Sequence, residues 1–217
     1  MKVDVHLPIY NGADGFTVRS LLSLQQALLE RGDEIRFDIE CGGSMLPKMR
    51  NRMMKRFLAS DGDVVLIIDA DMVFDANDIL AMLDSGAAVC GLSYTTRKPN
   101  GEFVTSFLDG EMDAFRHNGR IFVKVDKTGT GILMLRRSVI EKMAQAYADA
   151  VYDDDGPVIA LFDFCLEDGH YYGEDYLFCK RWRELGGEVY VMADATVGHV
   201  GTYVYTGNLC QHLGGVA

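Results

Sequence analysis

The sequence predicts an α/β fold, a mainly parallel sheet covered by helices within one domain. Three observations predict it. Strand-like and helix-like patterns alternate in the order β-α-β-α-β-α-β through residues 3–91. Val64-Val65-Leu66-Ile67-Ile68 is apolar without alternation, as a strand buried on both faces must be. The chain has 217 residues, 48% hydrophobic and 24% charged, with no repeat, low-complexity tract or Pro/Gly/Ser linker, which suits a single core of some size.

The elements follow in order. Residues 3–9 form an apolar-rich strand ending at Pro8 and the turn Asn11-Gly12-Ala13-Asp14-Gly15. Residues 17–31 space Val18, Leu21, Leu24 and Leu28 at helical intervals and stop at Gly32. A short strand over 35–39 precedes a helix over 47–59, with Pro47 in its first turn and Met49, Met53 and Phe57 along one face. The buried strand over 63–68, a helix over 75–83 opened by Asp75 and Asp78, and a second buried strand over 87–91 complete the regular half. Beyond it, residues 103–125 read as short polar strands or a meander. Strands over 131–135 and 188–192 and helices over 138–147 and 173–185 follow.

Composition excludes several function classes. The formal net charge of −11 argues against broad neutralisation of a phosphate backbone, though not against a small polyanion held by a local cation. Asp69 and Asp71 interrupt the longest apolar stretch, which is far too short to cross a bilayer. The opening residues carry no signal-peptide pattern, and the five cysteines are scattered with no CxxC pair, so a reducing cytoplasm is expected.

The strongest chemical signal is Ile68-Asp69-Ala70-Asp71. Its carboxylates sit at the carboxyl end of a buried strand, where open α/β sheets place ligands, roughly 6–7 Å apart between Cα atoms. Unpaired charges there are costly unless protonated, paired or bound to a cation, and magnesium or manganese would resolve the cost. Turn and helix capping is the plainer alternative. Glu174 and Asp175 open the amphipathic helix carrying Phe178 and Trp182; dipole compensation explains them alone, and a general base or acceptor clamp explains them beside a DxD pair. His199, flanked by Gly198 and Gly201, could complete a coordination sphere begun by Asp69 and Asp71, while His6, His117, His170 and His212 read as structural. Lys48, Arg50, Arg52, Lys55 and Arg56 with Asn51 make a basic helix, mostly a solvated face, from which one arginine could turn toward a diphosphate. Thr128-Gly129-Thr130-Gly131 has no Walker lysine and leads into no helix, so close approach to a substrate or a tight turn explains its glycines.

Taken in order, Pro8-Ile9-Tyr10, Arg50-Asn51, Asp69-Ala70-Asp71, Gly129-Thr130-Gly131, Gly173-Glu174-Asp175 and His199-Val200-Gly201 resemble the GT-A fold glycosyltransferases, in particular the small family 2-like forms of bacteria and phages. The match runs from about residue 3 to 207, and implies a Rossmann-like three-layer α/β/α sandwich whose central sheet is mixed but mainly parallel. The resemblance implies that residues 1–92 bind a nucleotide sugar and residues 93–217 the acceptor. Leu7, Pro8 and Tyr10 would lie against the base, with Arg50 and Asn51 near the nucleotide or diphosphate. Asp69, Ala70 and Asp71 would meet the ribose or donor sugar, and Asp69, Asp71 and His199 would hold Mn2+ or Mg2+. Gly129, Thr130, Gly131 and Glu174 would face a hydroxyl acceptor, Asp175 would deprotonate it, and Tyr203 and Tyr205 would close over the diphosphate. A UDP-linked hexose is the expected donor, and a modified DNA base is a possible acceptor if the chain comes from a phage. The QxxRW motif of processive members is missing, Arg181-Trp182 lying in a different helix pattern.

Two other classes compete. In a haloacid-dehalogenase-type phosphatase Asp69 would be the nucleophile and Asp71 the acid/base, but that motif usually lies on the first strand and here two βα units precede it. A non-catalytic nucleotide-sugar-binding module would keep the metal site without turnover.

Overall fold

The computed structural model describes residues 1–110 and 112–214; the predicted meander thus includes one residue, 111, outside the described set. Strand β1 (Lys2–Ile9) leads through α1 (Gly15–Arg31), β2 (Glu34–Cys41) and α2 (Leu46–Ala59) to β3 (Val64–Ile68). The short strand β4 (Met72–Val73), α3 (Ala76–Asp84) and β5 (Val89–Leu92) close the regular half. Strands β6 (Thr105–Ser106), β7 (Ala114–His117), β8 (Arg120–Val125), β9 (Lys127–Thr128) and β10 (Ile132–Arg136) precede α4 (Arg137–Ala146). Two small hairpins, β11 (Val151–Asp153) with β12 (Pro157–Ile159) and β13 (Cys165–Glu167) with β14 (His170–Tyr172), lead to α5 (Glu174–Glu184). The described chain ends with β15 (Val189–Met192), β16 (Thr196–Val200), β17 (Val204–Asn208) and α6 (Leu209–His212).

Local chemistry sets the helix limits. Asp14 caps α1 by accepting from the Phe16 N–H at 2.8 Å, and Gly32 ends it in the left-handed region at φ 83°, where a side chain would be strained. Asp75 caps α3 in the same way, accepting from Asn77 N–H.

The main sheet runs β2-β1-β3-β10-β5-β15-β8-β7. β10 and β8 run against the other strands, so the sheet is mixed with one dominant direction. β3 explains why its sequence lacks alternation: Val64, Leu66 and Ile68 enter one core with α1 and α3, and Val65 and Ile67 enter the other with α2, α4 and α5. Three layers result, α/β/α. The predicted meander needs correction over β8. Ile121, Phe122, Val123 and Val125 are buried because β8 pairs with β15 inside the sheet. The insertion of β10 between β3 and β5 carries the Gly129–Gly131 segment to the carboxyl end of β3. A small sheet, β17-β16-β4, brings His199 opposite Met72, directly after the DxD pair.

The second core fixes how α5 sits. Trp182 packs over Gly187, where an added Cβ would lie 2.1 Å from the indole ring, and its Nε1 donates to Glu188 O at 3.0 Å. Gly187→Ala should therefore cost ~1–3 kcal/mol of stability through overpacking. Urea denaturation measures it, and an unchanged midpoint would contradict this packing.

Candidate functional site

The carboxyl ends of β1, β3 and β5 open onto one cleft of about 770 Å³, lined in part by Pro8, Tyr10, Asp69, Ala70, Asp71 and Arg97. Loops from three directions hold the DxD backbone. Asp14 N–H donates to Ala70 O at 2.8 Å, Asp69 N–H to Gly131 O at 2.9 Å and Val200 N–H to Asp71 O at 2.8 Å. The backbone of the DxD segment is thus held at three successive residues.

Arg50 is the central side chain. It is 1% exposed, donates from Nη2 to Asp69 Oδ1 at 2.9 Å, and donates from Nη1 to Glu174 Oε1. One guanidinium therefore joins the first carboxylate of the DxD pair to the first of the Glu174-Asp175 pair. Burial disfavours its charge, but Asp69 and then Glu174 outweigh this and hold its pKa above the ordinary arginine value. Other cations of α2 stay near the surface: Arg52 pairs with Glu40 and Asp154, and Arg56 with Asp38 and Glu40.

Arg50 takes Glu174, and among the described residues no cation hydrogen-bonds Asp175. Burial, reinforced by Glu174, pushes its carboxyl up to about 6, while its Oδ1 accepts from the Tyr176 N–H at 2.8 Å. That is the environment of a proton acceptor working near neutrality.

Beside Asp71, His199 is oriented by Thr95. Its Nδ1–H donates to Thr95 O at 2.9 Å, which leaves Nε2 as the acceptor, taken by Arg97 Nε–H at 2.8 Å and lying 3.8 Å from Asp71 Oδ1. Adjacent donors on a cation with bonds of ~2.0–2.2 Å lie roughly 3 Å apart, so Nε2 and Oδ1 would have to close by a little under ~1 Å to share one. Burial raises the Asp71 carboxyl above its ordinary value, with Arg97 and His199 pulling the other way. Asp69 does not complete the predicted three-ligand set: its Oδ1 is engaged by Arg50, and no group of three metal-ligating side chains forms among the described residues. A cation here would rest on Asp71 and His199, with further ligands from the ligand it accompanies or from water.

Several expectations need correction. Leu7 is buried in the first core and does not line the cleft, whereas Pro8 and Tyr10 do. Asn51 is buried with both amide ends bonded to the Phe162 backbone at 2.8 Å, so it braces α2 and touches no ligand space. Gly129, Thr130 and Gly131 are buried, and the glycines make room for Tyr94: an added Cβ would lie 2.5 Å from its hydroxyl at Gly129 and 2.6 Å from its ring at Gly131. The approach of Tyr94 by itself requires them. Tyr203 and Tyr205 pack with ring centroids 4.2 Å apart and planes tilted by 34°, and line a neighbouring groove instead of the cleft.

Tyr94 and Arg97 are site residues that the motif reading missed. Tyr94 accepts from Gly131 N–H at 3.1 Å, packs edge-on against His199 at 5.2 Å and, being buried near Asp69 and Asp175, has its hydroxyl pKa raised. Arg97 donates from Nε to His199 Nε2 at 2.8 Å and from Nη2 to Asp71. Their position after β5, at the same sheet edge as the DxD pair, is the signal that points to them. With Val200 they bring residues beyond 92 into the cleft region, so it is not confined to the first half.

No protein-family model matches the sequence, and no curated protein matches it. Solved structures do resemble it. A Drosophila β-1,4-galactosyltransferase 7 mutant in complex with manganese, UDP-Gal and xylobiose is 14% identical at TM-score 0.49, over 98% of this chain and 74% of that one. Residues 1–349 of S. aureus TarS are 17% identical at 0.46, over 89% and 58%, so this chain spans little more than half of that one. A CMP:2-keto-3-deoxy-manno-octonic acid synthetase complexed with CTP is 10% identical at 0.43, over 88% and 89%. At such identities and TM-scores these likenesses carry nothing about substrate or activity in this chain.

Replacing Arg50 by Met should cost ~3–5 kcal/mol, because Asp69 and Glu174 would keep buried charge without a counterion. Adding Glu174→Gln should recover part of the loss. Additive losses in chemical denaturation of the two single variants and the double would contradict the bridge.

Proposed function

We propose that the chain is a metal-dependent glycosyltransferase that moves a sugar from a nucleotide-diphosphate donor to a hydroxyl acceptor. What supports this best is the separation of two kinds of carboxylate by one buried arginine. Asp71 faces the imidazole of His199 at the cleft, while Asp175 stands apart with a carboxyl raised to about 6. The first pair suits a divalent ion, Mn2+ or Mg2+, and the second suits a base.

The cleft falls within the ~300–1,000 Å³ range of small-ligand sites. The exposed ring of Tyr10 offers a stacking surface for the base, and Asp69, fixed by Arg50, presents its free Oδ2 to the ribose or sugar hydroxyls. UDP and a hexose are the donor components we assign. A divalent ion bound by Asp71 and His199 would supply the positive charge that a leaving diphosphate requires. Asp175 would take the proton from the acceptor hydroxyl as that oxygen attacks the sugar carbon, and Arg50 would keep the neighbouring Glu174 from competing for it. A phosphatase reading requires Asp69 to attack as a nucleophile, and its pairing with a buried arginine works against that.

A thermal-shift panel of nucleotide sugars with and without Mn2+ tests the class. One diphosphate donor should stabilise the protein only when metal is present, and Asp71→Ala should remove the shift; no metal-dependent shift with any donor would sink the reading. Turnover should rise between pH 5 and 7 and level off, because the acting form of Asp175 is the deprotonated one and its carboxyl titrates near 6. Asp175→Asn should cut kcat by ~10²–10⁴ while donor affinity holds. Retained turnover in that variant would take Asp175 out of the mechanism.

A further inference from the structure

Arg97 occupies the place where the proposed cation would sit. Its Nε–H uses the Nε2 lone pair of His199, and its Nη2 bonds to Asp71. A metal ion needs that same lone pair and a carboxylate oxygen of that same aspartate, so guanidinium and ion cannot both be served. The arginine is also able to leave. Its side chain is half exposed, lies on the open backbone of Gly201 beside Tyr205, and its only ion-pair partner among the described residues is Asp71. It lines the cleft itself, so a guanidinium released from Asp71 remains within the space a diphosphate would enter.

We infer that Arg97 is a built-in competitor of the divalent ion, holding Asp71 and His199 until a nucleotide diphosphate arrives with the metal and then transferring its hydrogen bonds to the diphosphate oxygens. The inference rests on reading the cleft as a metal–diphosphate site. Its consequence is energetic coupling. Metal alone must break two charge-assisted contacts and leave the guanidinium without an anionic partner, whereas metal with a diphosphate gives it new acceptors of the same kind. Each ligand therefore raises the affinity of the other by the same factor. Between turnovers the same exchange leaves Asp71 paired with a guanidinium in place of the ion.

The experiment titrates Mn2+ into the full chain and follows the electron paramagnetic resonance signal of the free ion, with UDP absent and present. In the wild type, UDP should strengthen Mn2+ binding markedly. Arg97→Ala should bind Mn2+ alone about tenfold tighter than wild type, one decade of affinity for a lost competitor, and UDP should strengthen that binding by about tenfold less than it does in wild type. Arg97→Met keeps the aliphatic stem over Gly201 and should behave the same, which separates loss of charge from loss of packing. If either variant binds Mn2+ alone no tighter than wild type while wild type still binds it with UDP, the competitor role is overturned and the metal site stands. If wild type and Asp71→Ala both fail to bind Mn2+ with UDP, the metal reading falls and the Arg97 inference with it.

Discussion

The buried guanidinium of Arg50 organises the site, because it neutralises two carboxylates that lie far apart in the sequence. Asp69 follows β3, and Glu174 begins α5. Without a counterion, four carboxylates converging on one sheet edge would repel one another and resist burial. With it, one member of each pair is spoken for and the other is left with a distinct environment. Asp71 keeps an imidazole and the half-exposed Arg97 for company, and Asp175 keeps, among the described residues, a backbone N–H. The different chemistry assigned to these two residues follows from what Arg50 has taken away from them.

Placement depends on the sheet. Strands running in the dominant direction deliver Tyr10, Asp69 and the segment after β5 to one edge, while β10, entering antiparallel, delivers Gly131 to the same edge from its amino end. The small sheet then folds His199 back over the DxD pair through the Met72 register. Tyr94 ties these pieces together, sitting between the glycines of the β10 approach and the ring of His199. His199 is thus set by backbone contacts and packing, and Arg97, half exposed, stands between it and Asp71.

The legible parts were those that local pattern controls. An unbroken apolar run reports a strand with two covered faces, an aspartate before a helix reports a cap, and two aspartates after the run report an edge where ligands bind. Patterns of this kind do not name neighbours. The helical face of α2 shows that its cations are mostly solvated but not that Arg50 alone turns inward, since its partners lie 19 and 124 residues away. The glycines of 129–131 advertise close approach, and only the fold shows that Tyr94 is what approaches. Arg97 escaped notice because a lone arginine in a loop has no motif; its meaning comes from standing between Asp71 and His199. Leu7 and Asn51 failed for the opposite reason, being neighbours of cleft residues in sequence while pointing into packed interior.

The central claim is that Asp71 and His199 hold the cation while Arg50 keeps Asp69 and Glu174. An anomalous-scattering map from a crystal grown with Mn2+ and UDP tests it most directly. A manganese peak bonded to Asp71 Oδ and His199 Nε2, with Arg50 still bridging Asp69 and Glu174, is the predicted result. A peak bonded to Asp69 and Glu174 with Arg50 displaced, or none between Asp71 and His199, would contradict it.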